Sequence, residues 1–310
     1  MGLAGPPARA KGSAAGPPDG AVSGAVSGAV SGAVSGAVSG LATQPGRGTT
    51  RLVAASDLLY RLYERRLVAD LRRRAGLPRH VGVILDGNRR WARELGMTSA
   101  AGHRRGADRI DDLLDWAREL GIPVVTLWLL STENLVQRDP DELAELLVII
   151  EDKVAQLAAE PGSNAWRVVP VGQLWALPER TRTRLLAAEE SSRHHTGGVV
   201  HVAVGYGGRE EIADAVRRLL AECADKGLDL VEAARLVSPD EIARHLYTAG
   251  VVDPDLIIRT SGEVRLSGFL LWQSAHAEYY FSDTFWPGFR KVDFLRALRS
   301  YAQRSRRFGR

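Results

Sequence analysis

The sequence has little of what disulfide scaffolds, thiol enzymes and membrane-spanning proteins need. Among 310 residues there is a single cysteine, Cys223, and the histidines show no spacing with cysteines or acidic residues that is typical of a metal cluster. The longest apolar run, IPVVTLWLL from Ile122, is about half of the ~18 residues that a bilayer span requires. The N-terminal segment has no continuous apolar stretch of the kind found in secretory signals. We therefore expect a cytoplasmic protein without disulfides.

The balance of charge favours anionic partners. The formal net charge of +4 suits nucleic acid, a membrane surface or phosphorylated small molecules. No RNP-like aromatic strand or zinc finger accompanies the basic residues, so we expect no nucleic-acid partner. Residues 55–76 form a basic amphipathic pattern, which predicts a helix that packs on the domain. Peripheral contact of this helix with anionic lipid at the inner face of the membrane is the alternative.

The first fifty residues lack the apolar side chains that a folded core requires. Residues 21–40 are five copies of Ala-Val-Ser-Gly, and Gly, Pro and Ala are frequent before them. Such a composition buries too little apolar area to offset the loss of chain entropy. The sequence therefore predicts a disordered extension over residues 1–50 and a single domain over residues 51–310.

From residue 80 onward, short apolar runs alternate with helical patterns. The predicted strands are 81–85, 123–130, 167–171, 199–205 and 255–258. The predicted helices are 103–120, 140–159, 178–194, 208–226, 239–248 and 291–305. This alternation, with strands apolar on both faces, predicts an α/β domain with a mainly parallel central sheet flanked by helices. In such sheets ligands bind beyond the carboxyl ends of the strands.

The segment HVGVILDGNRRWA carries chemistry at the end of the first predicted strand. An Asp-Gly pair favours a hairpin when two strands flank it, but the residues that follow Asp86 and Gly87 have a helical pattern. A strand, a glycine turn and a helix start can instead hold a phosphate, and Arg90 can add charge-assisted hydrogen bonds. Asp86 would repel that phosphate unless Mg²⁺ lay between them, and Mg²⁺ commonly binds one or two carboxylates together with phosphates.

Two further loops follow predicted strands at the same edge. In STENLVQRDPDE, Asp139 is a good N-cap for the helix from Pro140, whereas Ser131, Glu133 and Asn134 lie too far upstream to cap it. In RTSGEVRLSG, a set of three polar side chains is spaced to converge on one phosphate, although a solvated loop is the alternative. This set is Arg259, Arg265 and Ser267.

These stretches together resemble the cis-prenyltransferase family, which has the undecaprenyl diphosphate synthase fold. The resemblance covers residues 57–310. It includes HVGVILDGNRRWA, GHRRGADRI, STEN, VAVGYGGREEI, DLIIRTSGEVRLSGFLLWQSAHAEYYFSDTFWP and the terminal RRFG. It implies a Mg²⁺-dependent enzyme that joins isopentenyl diphosphate to an allylic diphosphate with Z geometry and releases diphosphate.

The resemblance also implies roles for individual residues. Asp86 would hold Mg²⁺, with Glu278 as a second acidic residue near the metal, and Asn134 would orient the condensing partner while diphosphate takes its proton. Arg307 and Gly309 match a terminus that reaches across a homodimer. The implied substrate contacts are Gly87, Asn88, Arg89, Arg90, Trp91, His103, Ser131, Thr132, Glu133, Leu135, Arg138, Arg259, Arg265, Leu266 and Ser267.

Some positions depart from the family pattern or point to one branch. Ser99 stands where many relatives carry an arginine, and Leu135 stands where a tryptophan is common. The arginine that follows the Ser-x-Glu-Asn motif in the family is displaced to Arg138 here, and all three departures bear on the affinity for the first substrate or its identity. Leu129 shares a strand face with Ser131 and predicts a bulky floor beneath the reacting end. The pattern is most similar to the short-chain (2Z,6E)-farnesyl diphosphate synthases, which extend geranyl diphosphate. A long-chain polyprenyl (decaprenyl or undecaprenyl) diphosphate synthase or a non-catalytic partner subunit is the alternative.

Three other motifs are better explained by structure than by chemistry. DDLLD at 111–115 matches a metal box of all-helical prenyl synthases, but its acidic residues predict the solvated face of a helix. GYGG at 205–208 predicts a tight turn rather than a dinucleotide site, because Glu210 replaces the last glycine of that motif. His194, His195 and His201 are expected at the surface or in the core.

Overall fold

The computed structural model describes residues 63–73, 76–162 and 164–304, which belong to one compact unit, Ser56–Arg310. The extension predicted over residues 1–50 lies outside the described residues. So do Arg307 and Gly309.

The centre of this unit is a six-stranded sheet in which every pairing is parallel. The strands are β1 His80–Ile84, β2 Val124–Ser131, β3 Arg167–Val171, β4 Val199–Tyr206, β5 Leu256–Arg259 and β6 Glu278–Phe281. Their order in the sheet is β3-β4-β2-β1-β5-β6. The α/β prediction is confirmed. Five strands lie within one or two residues of their predicted bounds, whereas β6 was missed because its sequence EYYF belongs to an aromatic-rich segment without a clear period.

Helices connect and cover these strands. Residues 63–73 form α1, and two of its apolar side chains, Leu67 and Leu71, are buried in the main core, which supports packing of this basic helix on the domain. The other helices are α2 Asn88–Glu94, α3 Ser99–Glu119, α4 Thr132–Gln137, α5 Pro140–Ala158, α6 Glu179–Ser192, α7 Gly208–Asp225, α8 Leu230–Leu236, α9 Pro239–Arg244 and α10 Lys291–Gln303. Two short helices, α4 and α8, were not predicted because each spans about two turns, too few to show a period.

The sheet is mostly apolar on both faces, as the short apolar runs in the sequence predict. All five residues of β1 are buried. Val83 and Leu127 contribute to the larger core cluster, which also includes side chains of α3, α5 and α10. Ile257 and Phe269 belong to a smaller cluster. Burial of each such side chain contributes roughly 1.5–3 kcal/mol to folding, so the sheet is the stable platform for the loops at its edge.

A chain of buried polar groups crosses three neighbouring strands of this core. His80 Nδ1 donates to the carbonyl oxygen of Val252 at 2.7 Å, and His80 Nε2 accepts from the Thr126 hydroxyl at 2.8 Å. The same hydroxyl lies 3.4 Å from His201 Nδ1. Burial lowers the pKa of His80 to about 4 and that of His201 to about 3, so both rings are neutral at pH 7. His201 is thus a core histidine, as predicted.

The strand order determines where a ligand can bind. After β1 the chain crosses to β2 on one side, whereas β5 lies on the other side of β1. The carboxyl ends of β2, β1 and β5 are therefore neighbours, and a crevice opens where the strand order reverses. The three loops singled out in the sequence follow these three strands. In the part of the chain that the structure describes, no helix is long and apolar enough to cross a membrane.

Candidate active site

The loop after β1 is a sharp turn into a helix, not a hairpin. Gly87 has a φ of 101° and is the N-cap of α2. A Cβ atom at this position would lie 2.6 Å from Cδ1 of Phe285 and 3.0 Å from Cβ of Ser261. Both the left-handed backbone and the close approach require glycine here. The turn leaves Asp86 at the sheet edge, before a helix that carries Arg89 and Arg90.

Two arginines hold the Asp86 carboxylate. Arg259 Nη2 donates to Asp86 Oδ2 at 3.0 Å, and Arg90 Nη2 donates to Asp86 Oδ1 at 3.3 Å. Partial burial works against ionisation of Asp86, but the hydrogen bond from Arg259 and the charges of both arginines outweigh it. The pKa of Asp86 is therefore lowered, and the carboxyl group is ionised at neutral pH.

The loop after β5 brings together two of its three predicted side chains, Arg259 and Ser267. The Arg259 side chain is almost fully buried, and its Nη1 donates to Ser267 Oγ at 2.8 Å and to the carbonyl oxygen of Arg265 at 2.5 Å. The Arg265 guanidinium is 66% exposed and pairs with Glu263 at 3.0 Å, so it has room to turn toward a ligand. Ser267 has a φ of 51°, a left-handed conformation that costs a non-glycine residue on the order of 1 kcal/mol. This loop presents one buried, fixed guanidinium and one exposed guanidinium.

The opposite wall, formed by α3 and α5, is also charged at its mouth. Arg138 Nη1 lies 3.1 Å from His103 Nε2 and 3.0 Å from Glu142 Oε1, and Arg89 pairs with Glu142 at 3.7 Å. Burial and the Arg138 charge lower the pKa of His103 to about 4, so its ring is neutral at pH 7. Because a guanidinium only donates, Nε2 must accept, and the proton of His103 is on Nδ1.

The loop after β2 differs in one respect from the sequence prediction. Ser131 does cap a helix: its Oγ accepts from the Asn134 N–H at 3.0 Å and begins α4, the short helix that the sequence pattern did not show. The strand is also irregular at this point, with register shifts at Leu130 and Ser131. Leu129 lines the cavity, as predicted. The regular alternation of side chains along a strand is not the reason, because the strand is irregular here.

The three loops surround a cavity of about 610 Å³, within the usual range for small-molecule sites. Charged side chains line its mouth, and the part behind them is lined mainly by apolar side chains. The predicted site residues that line it are Asp86, Gly87, Asn88, Arg89, Arg90, His103, Leu129, Ser131, Glu133, Asn134, Arg138, Arg259, Arg265 and Ser267. The apolar part is lined by Ala107, Ile110, Leu130, Leu146, Ile149, Ile150 and Trp286.

Four predicted substrate contacts do not line this cavity. Leu135 packs against the main core, because it lies on the side of α4 that faces β4. The carbonyl of Leu266 accepts a hydrogen bond from the Phe269 N–H within its own turn. Trp91 and Thr132 are half-buried outside the lining. Their neighbours in the sequence face the cavity, but these side chains point elsewhere.

The structure does not place Glu278 near Asp86 within one chain. Glu278 opens β6 and pairs in register with Leu256, at the amino end of the sheet, whereas Asp86 follows the carboxyl end of β1. Its carboxylate pairs with Arg304 at 2.7 Å. A carboxylate that does share the cavity with Asp86 is Glu263, which lies 3.2 Å from Arg90. Sequence reasoning missed Glu263, although its place between the two arginines of the β5 loop was a usable signal.

The side chains at this edge of the sheet suit a metal ion that takes most of its ligands from water and substrate. Among the described residues no group of three or more His, Cys, Asp or Glu side chains could hold an ion. A structural zinc or calcium site needs such a group, whereas Mg²⁺ keeps several waters and binds substrate phosphates. The ionised, partly exposed carboxylate of Asp86 beside several guanidinium groups fits Mg²⁺ together with a diphosphate.

Comparison with known proteins agrees with this geometry. The sequence model of the family described as "Putative undecaprenyl diphosphate synthase" matches residues 84–309, well over half of the chain. The chain belongs to the cis-prenyltransferase family. The resemblance seen in the motifs is thereby confirmed.

Relatives within this cis-prenyltransferase family cover the domain almost end to end. The (2Z,6E)-farnesyl diphosphate synthase of Thermobifida fusca is 60% identical over 252 residues, 81% of this chain and 97% of that protein. The short-chain Z-isoprenyl diphosphate synthase of Mycobacterium bovis is 52% identical over 254 residues, 81% of this chain and 96% of that one. The crystal structure of lavandulyl diphosphate synthase from Lavandula x intermedia, in complex with dimethylallyl diphosphate, has a TM-score of 0.69 at 34% identity and covers 76% of this chain and 99% of that chain.

Proposed function

We propose that this chain joins isopentenyl diphosphate to geranyl diphosphate with Z geometry, giving (2Z,6E)-farnesyl diphosphate and releasing diphosphate. The observation that carries the proposal is the lining of the cavity: cations from three loops surround its mouth, and mainly apolar side chains line the part behind them. A prenyl diphosphate has the same division into an anionic head and an apolar tail. The two relatives named as short-chain Z-prenyl synthases support the branch.

The reaction breaks the allylic C–O bond, forms a C–C bond to isopentenyl diphosphate and removes one proton. We assign the allylic diphosphate to Arg90 and the Gly87 turn and isopentenyl diphosphate to Arg265 and Ser267, all of which line the cavity. Negative charge develops on the departing diphosphate, so cations fixed before the reaction stabilise the transition state. Asp86 would hold Mg²⁺, which neutralises charge on the leaving diphosphate when it is bound.

The neutral groups have positioning roles in this proposal. His103 can donate from Nδ1 to a bound diphosphate without carrying charge, because Nε2 accepts from Arg138 and the ring is neutral at pH 7. Asn134 at the cavity rim has an amide that can orient isopentenyl diphosphate but is too weak a base to remove its proton. The released diphosphate is the stronger base, and we assign the proton to it.

We also propose that the enzyme is a homodimer. The sequence motif at Arg307 and Gly309 supports this, and β6 is an edge strand with one neighbour in the sheet. An edge strand presents unpaired backbone groups that a second copy can cover. Light scattering of the purified chain should give twice the mass of one chain; a monomer at assay concentration would contradict the proposal.

A panel of primers tests the proposed reaction. The purified full chain is incubated with Mg²⁺, labelled isopentenyl diphosphate and dimethylallyl, geranyl or all-trans-farnesyl diphosphate in turn, and products are sized by chromatography and mass. Geranyl diphosphate should be the preferred primer and should gain one isoprene unit. A long-chain product from farnesyl diphosphate would reassign the enzyme to the long-chain branch, and no product from any primer would reject catalysis.

A further inference from the structure

The deep end of the cavity contains a charged side chain among apolar ones. Lys153 lines the cavity beside Ile149 and Ile150, and its side chain is only 6% exposed. At the mouth, α5 carries Glu142 next to His103. Lys153 is eleven residues further along α5, which at 1.5 Å per residue is roughly 16 Å from the mouth. Lys153 therefore lies where the tail of a growing prenyl chain would arrive.

The Lys153 ammonium is held from the opposite helix. Its Nζ donates to Asp111 Oδ2 on α3 at 2.8 Å and to Gln156 Oε1 on α5 at 2.8 Å. Gln156 Nε2 also donates to Asp111 at 3.3 Å, which closes a triangle of hydrogen bonds between the two helices. Asp111 itself is 40% exposed and does not line the cavity. The aliphatic stem of Lys153 is thus stretched across the gap between α3 and α5.

The neighbouring acidic residues of the same motif do something else. Asp112 pairs with Arg109 on its own helix at 2.6 Å, and Asp115 pairs with Arg118 at 3.1 Å. Both are at least half exposed, which confirms the solvated face that the sequence predicts for this part of DDLLD. Asp111 is the exception, because its carboxylate bridges α3 to α5.

We propose that the Lys153–Asp111 pair is a latch that closes the deep end of the cavity and sets the upper limit of product length. This inference rests on the proposed function. For a prenyl tail to pass, the Lys153 stem has to swing aside, and an ammonium group cannot remain unpaired next to an apolar chain without a large desolvation penalty. Asp111 keeps the stem in place. Without that carboxylate, Lys153 can extend its ammonium toward water and leave the end of the cavity open.

The latch lies deeper than Leu129 along the same cavity, so the two can act in series. Leu129 is on β2, two residues before Ser131 at the mouth, whereas Lys153 is about three helical turns along α5 from Glu142 at the mouth. Leu129 limits the first elongation steps, and the latch limits how far a chain can grow once that floor is removed. The latch should therefore be tested with Leu129 present and with Leu129→Ala.

The decisive variant is Asp111→Ala, because Asp111 does not line the cavity itself but pairs with Lys153, which does. Its matched control is Asp112→Ala, which removes an ion-paired carboxylate one residue away on the same helix. Asp111→Glu keeps a carboxylate within reach of Lys153 and should behave as the parent. In the Leu129→Ala background, Asp111→Ala should raise the fraction of product longer than the parent maximum by roughly fivefold, the size expected when one ion pair is lost. Lys153→Ala should give the same lengthening.

Ligand binding provides a readout that does not depend on turnover. Trp128 and Trp286 line the cavity, so quenching of tryptophan fluorescence reports binding of prenyl diphosphates. In the Leu129→Ala background, Asp111→Ala should bind geranylgeranyl and longer diphosphates about fivefold more tightly than Asp112→Ala does, with unchanged affinity for geranyl diphosphate. If wild type made no product, the proposed function would fail while this binding series still tested the latch. If Asp111→Ala matched Asp112→Ala in both product length and binding, in both backgrounds, the latch would be rejected.

Discussion

At the scale of single residues, the proposed chemistry depends on one carboxylate among cations. Asp86 ends the turn after β1, and two arginines from different elements compensate its charge. This arrangement leaves the carboxylate ionised and ready to hold a cation between itself and an anionic substrate. The pairing also explains why the aspartate does not simply repel a diphosphate.

Replacing Asp86 by Ala should remove nearly all turnover. The variant removes the proposed Mg²⁺ ligand and should lower kcat by a factor on the order of 10³, the scale seen when one preorganised electrostatic group is lost. Binding of geranyl diphosphate should remain within about tenfold, because the cationic mouth and the apolar depth are unchanged. Steady-state kinetics and tryptophan fluorescence separate the two effects. Near-normal kcat in this variant would remove Asp86 from the proposed chemistry.

Replacing Leu129 by Ala should lengthen the product. Leu129 is partly buried and lines the cavity near its mouth, so a methyl group in its place leaves room for another isoprene unit. The product distribution, measured at saturating isopentenyl diphosphate, should shift from the one-step product toward longer chains. The product distribution of Leu130→Ala should be compared with it, because Leu130 is the neighbouring lining residue and is more deeply buried in the core. An unchanged product distribution in the single variant Leu129→Ala would refute the role of Leu129 as the floor of the cavity.

At the scale of elements, the junction of β1 and α2 is where conformation and function meet. Gly87 combines a left-handed backbone with contact distances that exclude a Cβ atom, and it is the N-cap of the helix that carries Arg90. Gly121 provides a natural comparison after α3: its φ is 70°, but nothing lies within 4 Å of the position that a Cβ atom would take there. Substitution of Gly121 therefore tests backbone strain alone, whereas substitution of Gly87 tests backbone strain together with steric clash.

Gly87→Ala should lower both stability and activity, whereas Gly121→Ala should lower stability only slightly. The left-handed backbone costs alanine about 1 kcal/mol at either site. At Gly87 the contact with Phe285 must also be relieved, so the helix start has to move, and the loss of unfolding free energy should exceed that of Gly121→Ala by about 1 kcal/mol or more. Chemical denaturation and kcat/KM measure both effects. Equal losses in the two variants would show that the close packing is unimportant.

The elements also show what could be predicted from the sequence and what could not. The strands β1 to β5 are short, mainly apolar runs rich in Val, Ile and Leu, and α3 and α5 carry long helical periods, so their type followed from pattern alone. The short helix α4 has too few turns to show a period, and its N-cap Ser131 was misread for that reason. Contacts between distant segments, such as Glu263 with Arg90 or Lys153 with Asp111, depend on tertiary packing that no local pattern encodes.

At the scale of the whole molecule, the buried histidines couple stability to pH. Burial lowers the pKa of His80 to about 4 and that of His201 to about 3, both below the ordinary value of 6.5. In the unfolded chain these rings take up protons below pH 6.5, whereas in the folded protein they remain neutral. Each therefore contributes stability that is fully present above pH 6.5 and is lost as the pH falls toward its folded pKa.

Comparison of wild type with His201→Leu isolates one of these contributions. Between pH 6 and pH 4, one neutral buried histidine adds about 1.4 kcal/mol per pH unit to the pH dependence of the unfolding free energy. The variant should be less pH-dependent than wild type by this amount, whatever its stability at pH 7. Urea unfolding at several pH values gives both slopes. Parallel slopes would mean that His201 is protonated in the folded protein.

The central claim is that two diphosphates bind side by side at the carboxyl ends of β1 and β5, with Asp86 holding the metal beside them. A crystal structure of the full chain with Mg²⁺, isopentenyl diphosphate and a non-reactive allylic diphosphate analogue tests it most directly. The account predicts one diphosphate at Gly87 and Arg90, the other at Arg265 and Ser267, and Mg²⁺ bound to Asp86. Diphosphates bound elsewhere, or a Mg²⁺ ion without contact to Asp86, would contradict it.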